Sequence, residues 1–164
     1  MDEKEVLKER FKSAICSAIK VIAGNGDLEI KFGKNAEPKN NYLCLPEINK
    51  LSTLEDYIYI RAKADSAALK IKYTDKKIYS KNQPKGKIAK TLYAVAEKIR
   101  YEKIGSNRLK GIKNNLVQSY ENSIKNKKNE VTTDLSNETV AEAFELYLRT
   151  HFFNIKQNTI TKKI

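Results

Sequence analysis

Tryptophan is absent from this 164-residue chain, which holds one histidine, one methionine, two cysteines and three prolines. Each scarcity narrows the chemistry. A zinc site takes three or four ligands, and Cys16, Cys44 and His151 lie far apart in sequence. Two thiols make no disulfide framework, and in a reducing compartment they read as packing residues. His151 reads as a packed or edge histidine near Phe144 and Leu148, and no local motif supports a Cys–His nucleophile pair. Glycine is also sparse. Gly24-Asn25-Gly26 lacks the third glycine of a dinucleotide fingerprint and runs from helix to strand, the reverse of what that fingerprint needs; a phosphate-binding loop is missing too. The chain has no recognisable route to ATP. Apolar runs extend only a few residues, too short to cross a bilayer. Met-Asp-Glu-Lys-Glu at the start is charged from residue 2 and has no signal-peptide core, so the expected location is the cytoplasm.

Positive charge is plentiful, with a formal net charge of +12. It raises the possibility of a basic helical nucleic-acid-binding domain. Two features disfavour nucleic acid as a partner. Of 32 basic residues only Arg10, Arg61, Arg100, Arg108 and Arg149 are arginine, and the abundance of lysine, isoleucine and asparagine follows A/T-rich codons. There is also no aromatic-lined basic strand and no helix-turn-helix spacing. A stand-alone enzyme is weaker still, because no nucleophile–base pair can be assembled.

The length fits one domain, able to bury roughly two thirds of its unfolded surface. Asp2 and Glu5 make a capping-box-like start to a first helix. Leu7, Phe11, Ile15, Ala18, Ile19 and Ile22 give it an apolar stripe. Gly24-Asn25-Gly26 turns the chain into a strand with Leu28, Ile30 and Phe32 on one face, and Tyr42 to Leu45 reads as a second strand. Ser52-Thr53-Leu54-Glu55 caps a second helix running to about Tyr73. Thr74-Asp75 reads as a helix end, and Lys81 to Lys85 as a break. A third helix begins near Pro84 with Ile88, Leu92, Val95 and Ile99 facing the core. Gly105 ends or bends it, and Leu109, Ile112, Leu116 and Tyr120 continue the pattern. Residues 121–135 read as a loop. Asn137 to Phe153 forms a last helix burying Val140, Phe144, Tyr147 and Leu148, and residues 154–164 form a frayed tail. The expected fold is mainly α (α+β): a bundle of about four or five helices with a small antiparallel β-hairpin from residues near 28–32 and 42–45.

The stretch Glu97 to Leu116, EKIRYEKIGSNRLKGIKNNL, is the most informative. Read as one helix, Glu97, Arg100, Ile104, Arg108, Gly111 and Asn115 share a single stripe. A polar, partly small-residued face of this kind is kept for something to pack against. Arg61 and Asp65 stand four apart on the second helix and can pair, an exposed contact typically worth ~0.3–0.5 kcal/mol. Asp65-Ser66-Ala67-Ala68 makes a flat small-residue patch for a close-approaching helix. If that helix is the third of this same domain, Arg61 or Asp65 would meet Arg100 or Glu97.

These residues also carry a family resemblance. The stretch resembles the E-x-x-R-x-E-x-I-G-x-x-R-(M/L)-x-G-(V/I)-x-x-N-L segment of the CobT family, matched by Glu97, Arg100, Glu102, Ile104, Gly105, Arg108, Gly111, Asn115 and Leu116. Arg61 through Leu69 is similar to that family's R-G-x-A-D-S-x-A-L-R segment. Phe11-Lys12, Ala23-Gly24, Leu28-Glu29 and Phe32 resemble its opening. The resemblance covers roughly residues 11–150, in the family's order. It departs at Thr74-Asp75 and Tyr79, where the family tends to carry His-Asp and a second histidine, so no metal or acid–base role is carried over there.

The resemblance implies a subunit of the aerobic, ATP-dependent cobaltochelatase, which inserts cobalt into the corrin ring during cobalamin synthesis. By resemblance the partners are a ring-forming AAA+ ATPase subunit and the large chelatase subunit. MgATP and cobalt are used by the complex, and this chain is expected to bind neither. Asp134-Leu135-Ser136 fails at Glu138 to complete the metal-adhesion motif of the family's C-terminal von Willebrand A-type domain. The chain is therefore expected to correspond to the N-terminal domain alone, residues 1–153. Its role would be non-catalytic docking, with Arg61, Asp65, Glu97, Arg100, Arg108, Gly111 and Asn115 as contact residues or an internal polar seam.

Overall fold

A computed structural model describes residues 3–33, 41–48, 51–126 and 136–155. The Asp2 cap, residues 127–135 of the expected loop and residues 156–164 of the expected tail lie outside them. The described elements run α1 (Glu3–Ala23), β1 (Glu29–Phe32), β2 (Tyr42–Leu45), α2 (Leu54–Tyr73), α3 (Lys76–Lys81), α4 (Lys87–Arg108), α5 (Lys110–Asn126) and α6 (Asn137–Phe153). The fold is mainly α. No described helix is long and apolar enough to cross a membrane. The chain divides into two compact units, Met1–Lys72 and Tyr73–Ile164.

In the first unit, α1 buries Ile15, Ile19 and Ile22, as its stripe requires, while Leu7 is 54% exposed. Phe11 meets Tyr57 of α2 edge to face, with ring centroids 4.8 Å apart. The cap of α2 sits one residue later than Ser52: the Thr53 hydroxyl accepts from the Asp56 amide at 3.2 Å, and the Asp56 carboxylate accepts from the Ser52 and Thr53 amides at 2.9 and 3.0 Å. The reciprocal bonding of a capping box is intact, with Asp56 as its acid.

The two strands form a parallel pair, Glu29 opposite Tyr42 and Phe32 opposite Leu45, and not the expected antiparallel hairpin. Asparagine chemistry explains the difference. Asn41 adopts a left-handed φ of 72°. Its side-chain amide donates to the Asp27 carbonyl at 2.7 Å and accepts from Asn25, while its own carbonyl accepts from the Glu29 amide at 3.0 Å. These bonds fix the start of β2 beside the start of β1, so both strands leave in one direction. Leu28 is buried and Ile30 and Phe32 half-buried while Glu29 and Lys31 are exposed, the alternation expected of the strand.

The second unit departs from the sequence reading at three places. Asp75 does not merely end α2: its carboxylate accepts from the Lys77 and Ile78 amides at 2.8 and 3.0 Å and caps the short helix α3. Near Pro84, as expected, α4 begins behind Gly86, whose φ of 94° is one that other residues rarely adopt. The break after it falls at Leu109, an extended residue with φ −131° and ψ 102°, and not at Gly105, which is buried inside α4. Finally, α5 runs on to Asn126, through six positions read as loop.

Candidate docking face and buried ion-pair network

The break at Leu109 reorganises the stripe. On an uninterrupted helix Leu109 would share the face of Glu102, Ser106, Ile112 and Leu116, all of which are buried. The extended residue restarts the helix so that Ile112 and Leu116 stay in the core, while Leu109 turns outward at 46% exposure. Glu97 and Arg100 to Arg108 therefore belong to α4, whereas Gly111 and Asn115 belong to α5. Gly111 is exposed, and a Cβ there would meet no atom within 4 Å. Asn115 is half-buried.

The α4 part of the stripe is held by the end of α2. Glu97 accepts from Arg100 Nε and Nη2 at 2.7 and 2.8 Å, a bidentate fork, and from the Thr74 hydroxyl at 2.7 Å. Arg100 Nη2 also donates to the Tyr73 carbonyl at 2.5 Å. Arg108 Nη1 donates to the Tyr73 hydroxyl at 3.4 Å, and its guanidinium lies 5.6 Å from that ring's centroid. Glu97 is mostly covered, whereas Arg100 stays 47% exposed and Arg108 is exposed too. The hydrogen bond to Glu97 raises the Arg100 pKa further above its ordinary value. The result is a seam with one open side: Arg100 is held by Glu97 and the Tyr73 carbonyl, and Arg108 lies against the Tyr73 ring, with both side chains exposed to solvent.

Arg61 and Asp65 pair on α2 at 2.9 Å, but Asp65 is 1% exposed, so the pair is not the solvated contact expected of it. Ala64, Ala68 and Leu69 beside it are equally buried. The small residues of this segment serve packing.

Arg149 is the residue that sequence reasoning missed. It is 4% exposed on α6 and pairs at 2.9 Å with Glu102 of α4, itself 1% exposed. It also reaches Glu145 at 2.8 Å, and Lys98 of α4 bonds the same Glu145 oxygen at 2.9 Å. Its guanidinium stands 4.5 Å from the Tyr120 ring centroid of α5 and 5.7 Å from that of Phe153. One side chain thus ties three helices, over a core of Ile99, Phe153 and Ile155. Two cations and two carboxylates balance, which burial of charge demands. Burial works to raise the Glu145 pKa, yet Lys98 and Arg149 outweigh it and hold the carboxyl below its ordinary range. For Arg149 burial works the other way, and Glu102 and Glu145 outweigh it to raise the pKa. A usable signal was present: an arginine in a lysine-dominated chain, four residues after a glutamate, with Glu102 inside the matched motif. Tyr147, expected in the core, is 64% exposed. Its ring lies near-parallel to that of His151, with centroids 6.5 Å apart.

Burial, reinforced by Glu145, pushes the Tyr120 phenol up to about 12. The folded chain keeps this proton above pH 10, where the unfolded chain releases it. The associated stability is complete below pH 10 and is lost as pH rises towards 12. Tyr120→Phe should remove this component, worth on the order of 1 kcal/mol for a partly exposed group. Urea unfolding of both proteins from pH 9 to 12 should show the native stability falling more steeply than the variant's; parallel curves would refute the assignment.

Among the described residues, no group of three or more His, Cys, Asp or Glu is placed to hold a metal ion. Cys16 is half-buried, and burial raises its thiol pKa. Cys44 is exposed, its thiol donating to the Gly33 carbonyl at 2.7 Å.

Fold and site together define a mainly helical protein whose second unit is organised around a buried ion-pair network, with an ordered arginine edge on α4, the longest described helix. The chain matches the family model for cobalamin biosynthesis protein CobT over residues 5–163, and it belongs to that family. No solved structure matches it.

Proposed function

We propose that this chain is a docking component of an ATP-dependent cobaltochelatase, the complex that inserts cobalt into the corrin ring in cobalamin synthesis. Family membership over nearly the whole chain supports that role. The observation that carries the docking role is the pair Arg100 and Arg108, ordered by Tyr73 yet open to solvent. Arg108, placed against Tyr73, loses less freedom on binding than a mobile lysine and can grip a carboxylate with two parallel bonds, while Arg100, its fork held by Glu97, adds a fixed edge beside it. The partners are an AAA+ ATPase subunit and the large chelatase subunit. They supply ATP hydrolysis and the chelation site, and cobalt passes through the complex as substrate.

Immobilised chain offered the two partner subunits at physiological salt should retain at least one of them. Failure to retain either would overturn the proposal.

A further inference from the structure

A second surface lies beside the arginine edge and carries a run of uncompensated positive charge. Between Asp75 and Glu97 the chain has 21 consecutive positions without an acid, the longest such span in the sequence. It contains Lys76, Lys77, Lys81, Lys85, Lys87 and Lys90, all exposed on α3, the turn after it and the first turn of α4. None of the six makes an ion pair among the described residues, whereas Lys12 and Lys98 both find carboxylates. The two bordering acids are already engaged. Asp75 caps α3, and Glu97 is bonded to Arg100 and Thr74. A lysine excess produced only by codon bias would be interspersed with acids; here the fold uses up the acids at both edges and leaves the charge uncompensated.

We infer that the α3–α4 surface binds a carboxylate-rich segment of a partner protein that also carries apolar side chains. The apolar part follows from Ile78 and Ile88, which stand 60% and 37% exposed in the same segment. Single-stranded nucleic acid fits less well. Its binding surfaces offer free aromatic faces for bases to stack on, but Tyr79 and Tyr93 stack on each other, centroids 4.9 Å apart, and both are half-buried. The span also contains no arginine to fork a phosphate. Ammonium groups on flexible stems suit a sequence-tolerant run of carboxylates. This inference goes beyond the cobaltochelatase reading and does not need it, because none of the six lysines belongs to the arginine edge.

The test is fluorescence anisotropy of a short labelled peptide of glutamates with interspersed leucines, titrated with the full chain at physiological salt. The variant K76Q/K81Q/K87Q is compared with K4Q/K70Q/K113Q, which removes equal charge at exposed positions elsewhere. Melting curves confirm that both stay folded. The patch variant should weaken binding about tenfold or more and the control less than about threefold, since local charge outweighs net charge at this screening length. Equal losses would reduce the effect to net charge, and absence of saturable binding would remove the site; either overturns the inference. So would tighter binding of a labelled single-stranded DNA through the same lysines.

Discussion

Replacing Arg149 with alanine should be the most damaging single change in the second unit. Removing one partner of a buried ion pair leaves the other charged and desolvated, at a cost of about 3–5 kcal/mol. Here Glu102, at 1% exposure, would lose the ion pair it makes with Arg149. The loss of packing against Tyr120 and Phe153 adds to this. For a chain of this length each kcal/mol lowers the melting temperature by roughly 2–4 °C, so a fall of about 10 °C is expected. The double variant R149M/E102M should recover much of the loss, because an apolar pair of similar volume carries no desolvation penalty. Calorimetry of the three proteins separates the cases. A fall of under about 1 kcal/mol for Arg149→Ala would mean that the network does not organise the helices.

The second large effect is on association. Arg108→Ala should leave stability within about 0.5 kcal/mol, since the side chain is exposed and its bond to Tyr73 is long. Arg100→Ala should cost on the order of 1 kcal/mol through its bonds to Glu97 and the Tyr73 carbonyl, a modest figure because the group is 47% exposed. Either change should nonetheless weaken partner capture about tenfold or more, because truncating a charge that becomes desolvated on binding commonly costs ~2–5 kcal/mol. Unchanged capture by both variants would make the edge an internal seam that only fastens Tyr73 to α4.

Legibility in the sequence followed the range of the interactions. The apolar stripe of α1, the capping signal of α2 and the alternation in β1 are local patterns, and each appears close to where the residues place it. The direction of strand pairing was not local. It rests on Asn41 reaching back to Asn25 and Asp27, and two short strands joined by a polar segment suggest a hairpin by default. The break at Leu109 carries no proline, and the nearby Gly105 drew attention to the wrong turn of the helix. Asp75 was visible, but a cap and a helix end look alike when the following helix spans only six residues. Arg149 escaped because periodicity assigns charged residues to the surface. Only the placement of Glu102 and Glu145 around it makes its burial affordable. Within the candidate site, the polarity of the stripe was legible in Glu97, Arg100 and Arg108, whereas the role of Tyr73 and Thr74 in ordering it required the chain's path after α2.

If this chain serves a cobalt-inserting complex, cobalt insertion must depend on it. The direct measurement is cobalt incorporation into a corrin substrate by the AAA+ and large chelatase subunits with MgATP, with and without the protein that carries this chain. Insertion should proceed only when it is present, and Arg108→Ala should slow it. Full-rate insertion in its absence would contradict the claim.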